Sequence, residues 1–165
     1  MEAENTILVI VDVQGKLAHS MFEKERLFRN LKIAILGAQV LAINMLCLEQ
    51  YPEGLGPTIS GIGDLLKGQE PVSKTCFSAC GAADFIERLN ATALTQVLIA
   101  GIETHICVYQ TTRDLLKQGY QVEVVADAVS SRTLENRDLG LARMRADGAR
   151  LTSVEMALFN LLGEA

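Results

Sequence analysis

Thr6-Ile-Leu-Val-Ile-Val-Asp-Val13 is a near-continuous aliphatic, mostly β-branched run that closes on a carboxylate. A strand with one wet face alternates apolar and polar residues, whereas an unbroken run is covered on both faces, as strands of a parallel sheet are. Similar runs return at Gln96-Val-Leu-Ile-Ala-Gly101 and, mixed with polar residues, at Tyr120-Gln-Val-Glu-Val-Val-Ala126. Asn44-Met-Leu-Cys-Leu-Glu49, Pro71-Val-Ser-Lys-Thr75 and Ala149-Arg-Leu-Thr152 read as shorter strands. Between the strands the period changes. Leu27, Leu31, Ile35, Ala38 and Ala42 recur at helical spacing within Glu23 to Ile43, predicting an amphipathic helix that packs on the sheet.

Further helices are predicted over Ala82 to Leu89, Thr104 to Gln118, Thr133 to Ala146 and Val154 to Leu162. The second of these carries Val108, Thr111, Leu115 and Leu116 on one face and stops at Gly119, a fitting C-terminal breaker. Tyr51 to Gly63, with two of the three prolines and four glycines, reads as a loop. Strands alternating with helices predict an α/β fold: a three-layer α-β-α, open, mostly parallel, Rossmann-like sheet of five or six strands, forming one domain over residues 1–165.

Composition narrows the function. Of the 165 residues 49% are hydrophobic but only 5% aromatic, with no Trp, so the apolar content is aliphatic, as buried strands require. The net charge of -5 leaves no basic stripe for phosphates, which argues against nucleic-acid and anionic-membrane partners. The longest apolar stretches fall well short of the ~20 residues a membrane-spanning helix needs. Four cysteines follow an acidic opening, Met1-Glu-Ala-Glu-Asn5, without a cleavable signal, so reduced thiols and a cytoplasmic location are expected.

In parallel α/β sheets, ligands sit at the carboxyl ends of strands near the point where strand order reverses. Asp12, Lys74 and Cys107 fall at, or just past, predicted strand ends. They are an acid, a base and a potential nucleophile. Each has an ordinary alternative: a turn cap, a solvated lysine, a small buried hydrophobe. Their joint placement at one sheet edge sets them apart. Gly101-Ile-Glu-Thr-His-Ile-Cys-Val108 puts Cys107 in the first turn of a helix, where backbone N–H groups and the helix dipole favour a thiolate.

Asp12 in Val11-Asp-Val-Gln14, Lys74 in Ser73-Lys-Thr-Cys-Phe-Ser78 and Cys107 in Gly101-Ile-Glu-Thr-His-Ile-Cys-Val-Tyr-Gln-Thr111 stand in an order that resembles the isochorismatase-like cysteine hydrolases. That family includes nicotinamidases and carbamoylsarcosine amidohydrolases, and the resemblance spans essentially the whole chain. It implies the isochorismatase-like hydrolase fold and an Asp-Lys-Cys triad at Asp12, Lys74 and Cys107. It also implies a cis peptide between Ile102 and Glu103 and an oxyanion hole formed by the backbone N–H groups of Glu103 and Cys107. The implied reaction is attack by Cys107 on a small amide or carbamoyl compound, through a thioester that water then hydrolyses. Family members assemble as dimers or larger oligomers. Met156-Ala-Leu-Phe-Asn-Leu-Leu162 is a candidate interface for a homo-oligomer, or it packs on its own sheet.

Departures from the family pattern narrow the substrate. Nicotinamidases carry a metal site of one Asp and two His on the loop after the second strand, and here that loop reads Glu49-Gln-Tyr-Pro-Glu-Gly-Leu-Gly-Pro57. It has no histidine, and the only two, His19 and His105, lie far apart. The expectation is a metal-free branch with no cofactor. Isochorismatases that cleave a vinyl ether lack the nucleophilic cysteine, so Cys107 favours C–N hydrolysis. Gln14, Phe22 and Phe77 sit past strand ends and are candidate pocket residues, each aromatic being equally a candidate for the core. His105, two residues before Cys107, is grouped with the pocket in a supporting or capping role. Cys47, Cys76 and Cys80 read as packing. The alternative to a hydrolase is a thiol- or redox-responsive protein, or a non-catalytic interaction protein, on the same fold.

Overall fold

The first strand, β1 (Thr6–Val11), is buried at every position. Leu8 and Ile10 face one side and Ile7, Val9 and Val11 the other, so both faces must be covered. The structure, a computed structural model, describes residues 1–164. Five more strands complete the sheet: β2 (Asn44–Gln50), β3 (Val72–Lys74), β4 (Gln96–Ile102), β5 (Gln121–Ser130) and β6 (Arg150–Thr152). All pairings are parallel, in the order β3-β2-β1-β4-β5-β6.

Two helices, α1 (Lys24–Val40) and α5 (Val154–Leu162), cover one face, bringing Leu27, Leu31, Ile35, Val154 and Ala157 onto Leu8, Ile10 and Leu98. On the other, α2 (Ala83–Ala91), α3 (Tyr109–Lys117) and α4 (Leu134–Ala146) bring Phe85, Leu89, Leu115 and Met144 onto Ile7, Val9 and Ile99. Each such side chain contributes roughly 1.5–3 kcal/mol on burial, so this sandwich is the main source of stability. The chain leaves β1 in one direction for β2 and β3, then returns to place β4 on the opposite flank. The loops that follow β1 and β4 therefore diverge and open a crevice between them.

Gly101 allows β4 to lie against β1 at that crevice. It pairs with Val11 at φ +115°, and a Cβ there would lie 2.2 Å from the Val11 carbonyl oxygen. Any larger residue meets both a conformational and a steric penalty.

Several boundaries differ from the sequence reading, each for a local reason. β1 stops at Val11 rather than Val13 because Asp12 turns into the left-handed region at φ +52°. β5 continues past Ala126 to Ser130 through a bulge: Val124 pairs with Ile99, but Val129 pairs with Gly101. Arg137 of α4 serves the displaced backbone, donating to the carbonyls of Ala126 (2.7 Å) and Val129 (3.4 Å). Within this extension, the Asp127 carboxylate accepts from the Val154 N–H at the start of α5 (2.9 Å). Tyr51 to Gly63 is not featureless, because Pro52–Leu55 and Ser60–Gly63 each form a single helical turn. Gly15–His19 forms another that the periodicity did not signal.

Gly101→Ala should destabilise the fold by at least about 2 kcal/mol, read as a lower urea midpoint at unchanged m-value. An unchanged midpoint would show that β1 and β4 do not need this close approach.

Candidate active site

Three strand ends converge at the crevice. Asp12 follows β1, Lys74 ends β3, and Cys107 lies beyond β4 in the wide turn Thr104–Val108 that leads into α3. That turn is π-helical: the Glu103 carbonyl accepts from Ile106 N–H (3.0 Å) and from Val108 N–H (3.2 Å). An ordinary α-helical first turn was expected, and the wider one changes where the side chains at 104 to 108 point. α4 packs tightly against it at Gly140, where a Cβ would lie 2.9 Å from His105 N and Thr104 O. The Ile102–Glu103 peptide is cis.

Asp12, Lys74 and Cys107 are only 1%, 4% and 7% exposed. Lys74 Nζ donates to Asp12 Oδ2 at 2.7 Å, an ion pair sealed from solvent. Asp12 Oδ1 is also buried and has no partner at standard hydrogen-bond geometry among the described residues. The charge of this carboxylate acts on the nearby Cys107 thiol. The unpaired carboxylate oxygen thus belongs to a group already coupled to the thiol.

The electrostatics correct one expectation. Burial, and after it the charge of Asp12, push the Cys107 thiol up to about 12, while Lys74 pulls the other way and does not win. The resting cysteine is a neutral thiol, not the thiolate that a helix N-terminus and a nearby lysine suggested. Burial also raises the Asp12 carboxyl, against the pull of Lys74. Any thiolate must therefore be made by proton transfer at the moment of reaction.

The remaining candidates divide. Gln14 does not line a pocket: it is wholly buried, and its amide is used on backbone, accepting from Gln50 N–H (2.7 Å) and donating to the carbonyls of Gly56 (2.7 Å) and Gln50 (3.1 Å). Phe22 is half-buried at the end of β5, its N–H on the Ser131 carbonyl (2.8 Å) and its carbonyl accepting from Ser130 Oγ (2.7 Å). His105 meets the same corner through Nδ1 and Ser131 Oγ, 2.9 Å apart. Phe77 is exposed, and its backbone carbonyl lies 3.4 Å from Lys74 Nζ. The oxyanion-hole candidate Glu103 holds its side chain away in an ion pair, Oε2 accepting from Arg132 N–H (3.1 Å) and Nε (3.2 Å).

Two residues that the sequence reading passed over belong here. Gln50 Oε1 accepts a second short bond from Lys74 Nζ, at 2.7 Å. Glu49 is buried, accepts from Thr58 N–H (2.7 Å) and Oγ1 (2.8 Å), and acts electrostatically on Asp12. Both end β2, and a polar pair closing an apolar strand was the available signal. Among the described residues no three His, Cys, Asp or Glu side chains are grouped as metal ligands. No helix among them is long and apolar enough to cross a membrane.

A six-stranded parallel sheet with an acid, a lysine and a cysteine gathered at its switch point defines an α/β protein with a candidate reaction centre. The chain belongs to the isochorismatase domain family, whose model matches residues 6–156. Isochorismatase domain-containing protein 2 of Bos taurus is 39% identical over 165 residues, covering 98% of this chain and 77% of that protein. The structure of the MAR1 ribonuclease of Caenorhabditis elegans is 34% identical with a TM-score of 0.93, covering 99% of this chain and 84% of that one. The YcaC gene product of Escherichia coli, an octameric hydrolase of unknown specificity, superposes with a TM-score of 0.95 at 21% identity, covering 99% and 82% of the two chains.

Asp12→Asn should lower the Cys107 thiol below about 12, because the carboxylate that repels a thiolate is gone while Lys74 remains. Thiolate absorbance against pH reads this directly, in comparison with Cys107→Ala. A titration that is unchanged, or displaced upward, would mean that the carboxylate does not act on the thiol.

Proposed function

We propose that the chain is a cysteine-dependent hydrolase of small-molecule C–N bonds, amide or carbamoyl, acting through a thioester on Cys107. The observation that carries this reading is the buried Lys74–Asp12 ion pair, whose carboxylate keeps an unpaired oxygen and is coupled to the Cys107 thiol. Asp12 takes the thiol proton as sulfur attacks the carbonyl carbon, and Lys74 stabilises the charges while that proton moves. The developing oxyanion is held by the backbone N–H groups of Glu103 and Cys107. No protein acceptor takes the Glu103 N–H among the described residues, which leaves that donor for substrate. The C–N bond breaks, protonated Asp12 gives its proton to the departing amine, and an acylated Cys107 remains. Water then attacks the thioester, delivering a proton to Asp12 that returns to sulfur. Phe22, Phe77 and His105 rim the approach to this centre.

RNA hydrolysis, suggested by the name of the nematode relative, is less well supported. A polymeric polyanion is read by exposed basic and stacking groups, whereas this chain carries a net charge of -5 and its reacting side chains are buried. A redox-sensing role asks for an accessible thiol of low pKa, and burial pushes Cys107 the other way. The same free thiols fit a reducing, cytoplasmic setting.

The outer face of α1 and α5 exposes Ile33, Leu36, Val40, Phe159 and Leu162 around one groove, and Met156 is exposed on α5 as well. A contiguous apolar face of this kind marks an interface. We assign it to a second copy of the chain, in line with the octameric assembly of the E. coli structure.

Two measurements test these readings. A screen of small amides, ureas and carbamoyl compounds should find a substrate whose turnover is lost in folded Cys107→Ala; turnover retained by that variant would reject the mechanism. Light scattering should show an oligomer that Val40→Glu or Phe159→Glu dissociates, and a native monomer would remove the interface.

A further inference from the structure

The Lys74 ammonium has three N–H donors. Two make short bonds, to Asp12 Oδ2 and Gln50 Oε1, both at 2.7 Å, and the third is shared between the backbone carbonyls of Cys76 (3.3 Å) and Phe77 (3.4 Å). The Gln50 amide is itself oriented, because its Nε2 donates to the Thr75 carbonyl at 2.8 Å and so turns Oε1 toward lysine. The Gln50 backbone is held in turn by the buried Gln14, which bonds both its N–H and its carbonyl. Gln14 N–H donates to the Asp12 carbonyl at 2.8 Å, which closes a ring through Asp12, Gln14, Gln50 and Lys74.

We propose that Gln50 is a positioning residue: its side-chain amide, turned by the Thr75 carbonyl on a backbone that Gln14 holds, fixes the Lys74 ammonium against Asp12 while leaving the ammonium's charge to that carboxylate. This rests on the reading of Asp12, Lys74 and Cys107 as the reacting group and deepens it. Neutrality is the point of the amide. The cluster already holds Asp12 at the end of β1, Glu49 on β2, and Glu103 with Cys107 on the turn after β4, against Lys74 on β3 and Arg132, which is engaged by Glu103. A carboxylate at position 50 would share the ammonium with Asp12 and add a like charge beside both Asp12 and the thiol. An apolar side chain would release the ammonium from its second short bond, so that it spends part of its time away from the Asp12–Cys107 pair.

The test is the pH–rate profile of iodoacetamide labelling at Cys107, resolved from Cys47, Cys76 and Cys80 by peptide mass spectrometry, on the full chain. Gln50→Glu should displace the rising limb upward by about one pH unit, which is about tenfold slower labelling at a given pH on that limb. Gln50→Met should slow labelling several-fold at an unchanged melting temperature. Gln50→Asn, which keeps the amide but withdraws it by one methylene, repeats the test if the methionine variant does not fold. Wild-type profiles in these folded variants would overturn the positioning role. Lys74→Met separates the two levels: if it slows Cys107 while the Gln50 variants do not, only the role of Gln50 fails. If Lys74→Met also labels as wild type, the reading of the reacting group fails with it.

Discussion

The Lys74–Asp12 ion pair is the constraint around which the site is built, because neither charge is tolerable alone where it lies. Taking either ion out of water costs several kcal/mol, recovered only with a partner at short range and with the remaining donors satisfied. Lys74 meets that condition with Asp12, Gln50 and two carbonyls. Asp12 meets it only in part, and the oxygen left over is the one available to take a proton. Holding the pair requires β1 and β3 to end near one another on either side of β2, where Val11 lies in register with Leu48 and Lys74 with Gln50, two residues further along. It also requires Asp12 to sit at φ +52°, a backbone state that aspartate tolerates better than most residues.

The same burial that makes the ion pair obligatory keeps the cysteine neutral. In the proposed mechanism such a site is quiet at rest, with Cys107 protonated and screened from solvent, and gains reactivity only when a substrate carbonyl and backbone donors share the developing charge. The Glu103 side chain is engaged by Arg132, while its N–H has no protein acceptor among the described residues. The close approach of Gly140 to the turn at Thr104 and His105 sets where that turn lies.

Much of this was legible in the sequence, and the parts that were not share a cause. The unbroken Thr6–Val11 run and the helical spacing of Leu27, Leu31 and Ile35 announce a doubly covered parallel sheet because burial is written in residue type. Asp12, Lys74 and Cys107 were visible as reactive groups at strand ends. The π-helical turn, the bulge in β5 and the Gln14–Gln50–Lys74 ring depend on which backbone groups are left unpaired once the sheet has formed, and no local pattern states that. Gln14 shows the difference well. Its position suggested contact with substrate, but the open carbonyls of Gln50 and Gly56 claim its amide instead. The ionisation state of Cys107 was misread for a related reason: proximity to a helix start and to lysine is local, while burial is a property of the whole fold.

In the proposed mechanism Cys107 carries the acyl group during hydrolysis, and mass spectrometry of the protein and its peptides reads that group on the chain. The native chain, quenched in acid within its first turnovers on a small amide or carbamoyl substrate, should gain the mass of the acyl fragment on the peptide containing Cys107. Hydroxylamine should remove that adduct, and Cys107→Ala should show none. Steady turnover with no adduct at any quench time, together with activity retained in Cys107→Ala, would exclude a thioester on Cys107.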